Sequence, residues 1–486
     1  MLKRIAIYPS STCRCARSGV HAQWRARGLC ACSLLWLWLV LLVTASCRSE
    51  REDGTLGNIV FSHDTVRFDS VFSGQVSSVR RLTIRNAGRR GIRLDRIALR
   101  GGASSEFALL IDGVAAPEQT SYLLRGKDSL LVVVRVRPRQ GTSDTITSLE
   151  DAIHIAKDGA SRSVVLMAKG LASVDMVCDT LKSDLDIPGP PARILARSLY
   201  VPPGRVLRLG PGAALYFRPG TGLRVAGSLV VEGESGRRVT FAGERLETFY
   251  RRKPGQWQGI QLLKGGGPHR LRYAQVRSAV SGIVADSIAE GHELLVEQCE
   301  ILYSSQEGID LIGCKARLRS SLLAQNYRHA LRLTNAVAEV THCTLYGVSA
   351  PPQVRSGSLL AVQKVEGVSR SSFSVQNSIL WGDRENEVTI PSSVPSSARF
   401  ALQYCVAKVP ARDTIRRSDW LFLWLEDPRF TKPEALDFSL TKESKAIGRA
   451  LRSISVTDPV DLRGVNRLAQ DEAPDLGALE RVASQP

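Results

Sequence analysis

Tyr273-Ala274-Gln275-Val276, Gln298-Cys299-Glu300-Ile301, Ser320-Ser321-Leu322-Leu323, His342-Cys343-Thr344-Leu345, Gln376-Asn377-Ser378-Ile379 and Gln403-Tyr404-Cys405-Val406 are six versions of one short pattern. The anchors Ala274, Cys299, Ser321, Cys343, Asn377 and Tyr404 stand 25, 22, 22, 34 and 27 residues apart. An aliphatic residue follows each anchor two positions later. A period near 22 with two-residue alternation predicts stacked strands, one turn of chain per repeat, and hence a parallel β-solenoid.

A second position repeats beside the first. Gly259-Ile260, Gly282-Ile283, Gly308-Ile309 and Ala330-Leu331 share a small-then-aliphatic pair. Two registered positions per coil predict inward stacks, each rung covering the apolar face of its neighbour. On this reading Cys299, Cys343, Ser321 and Asn377 are packing residues, and the thiols are buried and unpaired. Cys299 and Cys343 would lie two rungs apart, roughly 9–10 Å at about 4.8 Å per rung, beyond the reach of a disulfide. Neither these nor Cys178, Cys314 and Cys405 show CxxC metal spacing.

Outward from this core, Val201-Pro202-Pro203-Gly204, Gly227-Ser228-Leu229 and Trp257-Gln258-Gly259-Ile260 punctuate further apolar–polar alternation with glycine turns. Together these residues resemble the right-handed parallel β-helix, the pectate-lyase-like architecture, in its bacterial lipoprotein form, over about 200–440. Asp427-Pro428-Arg429-Phe430, Asp461-Leu462-Arg463-Gly464 and Pro474-Asp475-Leu476-Gly477 resemble the C-terminal closing segment of such proteins, 441–486. The resemblance implies roughly nine or ten coils, a rod about 45 Å long. Its open ends need caps, one expected from the 410–486 segment with Trp420, Phe422 and Trp424.

Before the solenoid, 57–172 carries short alternating runs such as Val79-Arg80-Arg81-Leu82-Thr83-Ile84 and Leu130-Leu131-Val132-Val133-Val134-Arg135-Val136. Turn residues separate them, as in a β-sandwich. Leu82 to Gly88, Phe107-Ala108-Leu109 and Val164 to Gly170 are similar to ASH-type Ig-like domains, which implies a spacer or adhesion module. Residues 173–199, with Ile187-Pro188-Gly189-Pro190-Pro191, read as a stiff linker leading into the solenoid. The fold class expected is therefore all-β, an Ig-like β-sandwich followed by a right-handed parallel β-helix.

The N-terminus sets the compartment. Lys3, Arg4, Arg14, Arg17, Arg25 and Arg27 precede the apolar run Leu34–Val43 and then Thr44-Ala45-Ser46-Cys47. Basic, apolar, then small residues predict a secretory signal over 1–46. The small residues before Cys47 resemble a bacterial lipobox, which implies lipidation of Cys47 and a tether over 47–56. Its run Glu50-Arg51-Glu52-Asp53 is similar to the acidic surface-export signals of Bacteroidetes lipoproteins. Removing the six leader charges from +18 leaves about +12 on the mature chain. The arginines are spread over outward strand positions such as Arg80, Arg93 and Arg135 rather than bunched. That distribution argues against nucleic acid and fits anionic glycans or envelope surfaces.

Chemistry is sparse. No paired-aspartate, Gly-His-Gly or Arg-Ile-Lys motif of the polygalacturonase type is present. The candidate catalytic residues are Asp286, Asp310 and Arg332, expected to share one outward column near a coil corner, with Glu307, Arg328 and His329 beside them. The competing reading is a solvated ladder of ion pairs. His342 is expected outward, His269 and His292 in loops. No cofactor or metal is expected. The expected role is binding or adhesion to a glycan or surface protein. The alternatives are a lyase or hydrolase of an acidic glycan, and a structural envelope component.

Overall fold

A computed structural model describes residues 52–482 apart from 116–117, 141–145, 364–365, 367–369, 393–397, 411–417 and 470–472. The expected leader 1–46, Cys47 and the rest of the expected tether up to 51 lie outside the described residues. None of the described helices is long and apolar enough to cross a membrane.

Period-two alternation places Leu82 and Ile84 of Arg80–Asn86, and Leu130, Val132 and Val134 of Ser129–Val136, in one core with Leu94, Ile153 and Leu166. Among the described residues this core is closed by two five-stranded sheets. One runs Ile59–Phe61, Arg80–Asn86, Ser129–Val136, Phe107–Ile111, Val114–Ala115. The other runs Thr65–Phe72, Ala160–Leu171, Thr147–Lys157, Ile92–Leu99, Glu118–Leu124. The N-terminal part is thus a β-sandwich.

The rest is a parallel solenoid. Among the described residues one long sheet of nineteen strands bends along its length, and a facing sheet of eight strands closes the coil. The segment 173–199 is not a linker: Ser173–Met176, Leu185–Ile187 and Ala192–Leu195 already belong to the long sheet, which ends at Trp420–Trp424. The stretch reads as a linker because Pro188, Pro190 and Pro191 sit in the corner between two of these short strands.

Each coil turns its corners through residues in the left-handed region. Tyr273, Gln298, Ser320, His342, Asn377, Tyr404 and Phe422 form one such column with φ between 43° and 53°; Ser278, Tyr303 and Gln325 form a second. A non-glycine residue there costs about 1–2 kcal/mol, offset by what the next residue gains. That residue points inward: Ala274, Cys299, Ser321, Cys343, Ser378, Cys405. The Cys299 N–H donates to Ser321 Oγ (3.1 Å) and the Cys343 N–H to Ser378 Oγ (3.0 Å). The Ala274 N–H reaches Cys299 Sγ at 3.4 Å, and the backbones of Ser321 and Ser378 bond the sulfurs of Cys343 and Cys405 in the same way. Each hydroxyl or thiol in turn donates to the carbonyl two residues before it, such as Ser321 to Arg319 (2.7 Å) and Cys299 to Glu297 (3.2 Å). The ladder supplies an acceptor to an N–H that the corner would otherwise bury unpaired.

Asn377 and Tyr404 are therefore corner residues, not inward anchors; Ser378 and Cys405 take that place. The one-residue slip is invisible in the pattern because Ile379 and Val406, although outward, are apolar. They are covered by Leu440, Ala446, Ala450 and Leu476 of the C-terminal segment. The second stack holds: Ile260, Ile283, Ile309, Leu331, Leu360 and Val388 are successive partners in the eight-stranded sheet. Glycine precedes three of them because a Cβ on Gly259 would stand 1.7 Å from the Ser281 carbonyl oxygen, and one on Gly282 2.5 Å from that of Gly308.

The closing segment is a strap rather than an end cap. Trp420–Trp424 is the last rung, and the chain then folds back along the outward corner. Leu451 bonds Asn377, Ser455 bonds His342, and Asp458 bonds Ser320. Val460 then meets Gln298, and Leu462 meets Arg238. Tail and solenoid run in opposite directions, rung by rung. His342 does leave the solenoid core, but the strap buries it completely. His269 is not in a loop: it opens the strand His269–Arg272 and packs inward.

Candidate functional site

The eight-stranded sheet presents Asp310 and Arg332 as direct partners on adjacent rungs. Arg332 Nε and Nη2 donate to Asp310 Oδ1 and Oδ2 at 2.9 and 2.5 Å. Asp286 is not in this column. Its partner is Ile312, and Val284 lies opposite Asp310. Asp286 follows Ala274 by 12 residues, against 11 for Asp310 and Arg332 after their anchors, and the corner after Ala274 is itself one residue shorter, so Asp286 lies two positions past the column. Its Oδ1 instead accepts from the neighbouring Ser287 hydroxyl at 2.8 Å.

Glu307 joins the pair. Its carboxylate, almost wholly buried, lies 2.9 Å from Arg332 Nη1 and 3.4 Å from Arg328 Nη1. Two carboxylates thus converge on one guanidinium, and the Asp310 bonds hold Arg332 above its ordinary pKa. One rung on, the fully buried Arg355 repeats the device. It bonds both Glu387 oxygens at 2.8 Å, Asp383 at 2.7 Å and the Gly347 carbonyl at 2.7 Å. His329 Nδ1 meets the Ser358 carbonyl at 2.8 Å, and burial lowers its pKa. General acid–base work needs a carboxyl or imidazole free to exchange a proton with substrate. Here Glu307, Asp310 and Glu387 are all held by arginine. An open trough of about 700 Å³ lies beside Arg355, lined by His329, Asp383, Arg384 and Asn386. Among the described residues no three His, Cys, Asp or Glu side chains are grouped to hold a metal.

A different concavity forms where the sandwich meets the solenoid. Phe72 packs edge-on against Tyr216 (4.8 Å between ring centroids), and Ala192, Ile194, Leu171 and Leu246 complete a small apolar joint. Beside it the chain from Glu244 to Gln256 leaves the coil as a long excursion before Ile260–Leu262. Trp257 pins its return: the ring stacks on Phe217 at 4.2 Å, and its N–H donates to the Arg277 carbonyl (2.8 Å). The excursion and the joint enclose a cavity of about 290 Å³.

The cavity wall contains Arg245, Arg251, Arg277, Tyr216, Tyr250, Gln256 and Gln275, and no carboxylate among the described residues. Arg245 is paired with Glu247 and lies over the Tyr250 ring at 4.1 Å. Among the described residues, neither Arg251 nor Arg277 makes an ion pair. Arg277 donates only to neutral oxygens, the Arg251 carbonyl (2.7 Å) and Gln275 Oε1 (3.3 Å). Burial, then the nearby Arg251 charge, lower its pKa. The amide of Gln256 donates to the Lys253 carbonyl (2.8 Å), while its buried Oε1 has no partner. An adjoining cleft of about 670 Å³, sharing Ser70, Arg245 and Leu246, is by contrast lined by Asp69, Asp175, Glu244 and Glu247.

None of these cavity residues stood out in the sequence. One signal was present: Val239 and Ala274 are successive rungs 35 residues apart, ten more than the next spacing, and the surplus carries Phe249-Tyr250-Arg251-Arg252-Lys253. The large exposed aromatics, Phe249 and Phe422, do not form a stripe along one side of the rod.

No family model and no curated protein matches the chain. Among solved structures, one similar chain is a family 123 glycoside hydrolase from Clostridium perfringens, at 8% identity and a TM-score of 0.18. The match covers 26% of this chain and spans 30% of that one. An overlap of that size carries no inference about fold or activity.

Proposed function

We propose that the protein is a non-catalytic binding component of the bacterial cell envelope. In this reading Cys47 is lipidated after removal of 1–46, an Ig-like sandwich serves as spacer, and a right-handed parallel β-helix presents the ligand-binding surface. The placement is the outer membrane, with the ligand a glycan or a surface protein. One observation carries the reading. The carboxylates that a lyase or hydrolase would need, Glu307 and Asp310, are both bound to Arg332. Meanwhile a ligand-sized cavity elsewhere holds Arg251 and Arg277, with no ion pair and no lining acid among the described residues. A wall of fixed donors with no proton acceptor suits recognition rather than turnover.

A glycan-array and turnover screen on the chain from Arg48 onward tests this. Retention of a glycan without cleavage is expected; depolymerisation of any acidic polysaccharide would overturn it. The anchor is tested separately by Cys47→Ala, which is expected to release the protein from the membrane fraction. Unchanged fractionation would remove the lipid anchor from the account.

A further inference from the structure

We infer that the cavity between the sandwich and the solenoid is the binding site for an acidic sugar. Its carboxylate or sulfate would lie against Arg277 and Arg251, and its ring against Tyr250 and Tyr216. The inference deepens the binding reading above and rests on it.

Three features of the wall specify the ligand. The first is charge. Arg251 and Arg277 have no carboxylate partner among the described residues, and burial, then the nearby Arg251 charge, disfavour the charged form of Arg277. Elsewhere in the fold buried guanidinia are paired with carboxylates, as Arg332 with Asp310 and Glu307, Arg355 with Glu387 and Asp383, and Arg467 with Glu480. A part-buried guanidinium facing a second, exposed one is unfavourable unless an anion joins them. Two planar guanidinia match the two oxygens of a carboxylate or the three of a sulfate.

The second feature is the aromatic and amide lining. Tyr216 and Tyr250 present rings, and the Tyr216 hydroxyl has no hydrogen-bond partner among the described residues. Gln256 Oε1 is buried with its acceptor capacity unused. An oxygen that only accepts calls for a hydroxyl donor, which a sugar has and chloride or sulfate lacks. The third feature is size. About 290 Å³ is at the lower limit of ligand cavities and admits a terminal sugar rather than a length of chain.

The test is a titration of the full chain, purified in detergent, with a uronate, a sialic acid, a sulfated monosaccharide, a neutral sugar and inorganic phosphate. Arg251→Ala and Tyr250→Ala lie on the excursion, outside the solenoid core. Arg277→Met keeps the half-buried stem, and Arg135→Ala on the sandwich is the control. At least one acidic sugar is expected to bind, more weakly as salt is raised. Loss of either cavity arginine should weaken it by about tenfold or more, and the control not at all. Neutral sugars should bind far more weakly. Equal binding by phosphate alone would show a plain anion site and overturn the sugar assignment. So would absence of binding by every acidic sugar. Acidic-sugar binding unaffected by all three variants would move the site elsewhere while leaving the binding reading intact. Cleavage of the sugar would overturn that reading itself.

Discussion

Ser378 Oγ lies 3.0 Å from the backbone nitrogen of Cys343, repeating one coil set later the contact of Ser321 Oγ with Cys299 at 3.1 Å. Serine and cysteine alternate in this column because each accepts one N–H and donates to one carbonyl inside the solenoid. Ser321→Ala would leave the Cys299 N–H buried without an acceptor, at a cost of about 1–3 kcal/mol. Ser321→Cys keeps the acceptor and should cost about 1 kcal/mol or less. Urea midpoints of the two variants check the ordering.

Burial pushes the thiols of Cys299, Cys343 and Cys405 up to about 12 and that of Cys314 to about 11, from 9.0. Among the five described cysteines only Cys178, which is exposed, should react with a thiol reagent in the native protein. Unfolding should release the other four of the mature core. The folded state also holds these protons more tightly than the unfolded chain does. Their contribution to stability is complete below pH 9 and is lost as pH rises toward 12. Alkaline unfolding followed by circular dichroism should begin in that window, and later for Cys299→Ser.

His269 behaves in the opposite sense. Both ring nitrogens are buried without a partner, and burial, with a contribution from His292, lowers its pKa from 6.5 to about 4. The unfolded chain binds the proton first, so stability is full above pH 6.5 and is lost as pH falls toward 4. His269→Leu should flatten the pH dependence of the thermal midpoint between those values. A steeper acid slope in the variant would contradict the burial of the ring.

Arg355 is fully buried against Glu387. Arg355→Met leaves that carboxylate buried and unpaired and should cost about 3–5 kcal/mol. The double variant Arg355→Met, Glu387→Leu should recover most of the loss, which a denaturant series will show.

Asn377 ties the strap to the solenoid. Its Oδ1 accepts the Leu451 N–H at 2.9 Å, and its Nδ2 donates to the Leu451 carbonyl at 3.1 Å. It also holds a corner at φ 50°. Asn377→Ala loses both bonds and a tolerated left-handed residue. Hydrogen exchange should then rise across 450–480 while the rungs near Cys299 stay protected.

The rungs near Ala274, Cys299, Ser321 and Cys343 were legible because inward and outward positions alternate cleanly there. Legibility failed where a distant segment changed the rule. Ile379 and Val406 are apolar on the outside, and His342 is buried on the outside, because the strap covers them. Strap contacts reach far along the chain, across 224 residues between Arg238 and Leu462, and no local pattern records them. Asp310 and Arg332 share a column, whereas Asp286 lies two positions past it, one of them because its corner is a residue shorter. The cavity was hidden because Ser70, Ile146 and Leu171 come from the sandwich and Arg251 and Arg277 from the solenoid.

The central claim is that this solenoid binds without cutting. The most direct measurement is the number of new chain ends, reducing or unsaturated, produced when the chain from Arg48 onward is incubated with acidic polysaccharides, alongside Asp310→Asn. The account predicts no new ends with either protein. Ends formed by the natural chain and abolished by Asp310→Asn would contradict it and make the Asp310–Arg332 flank an active site.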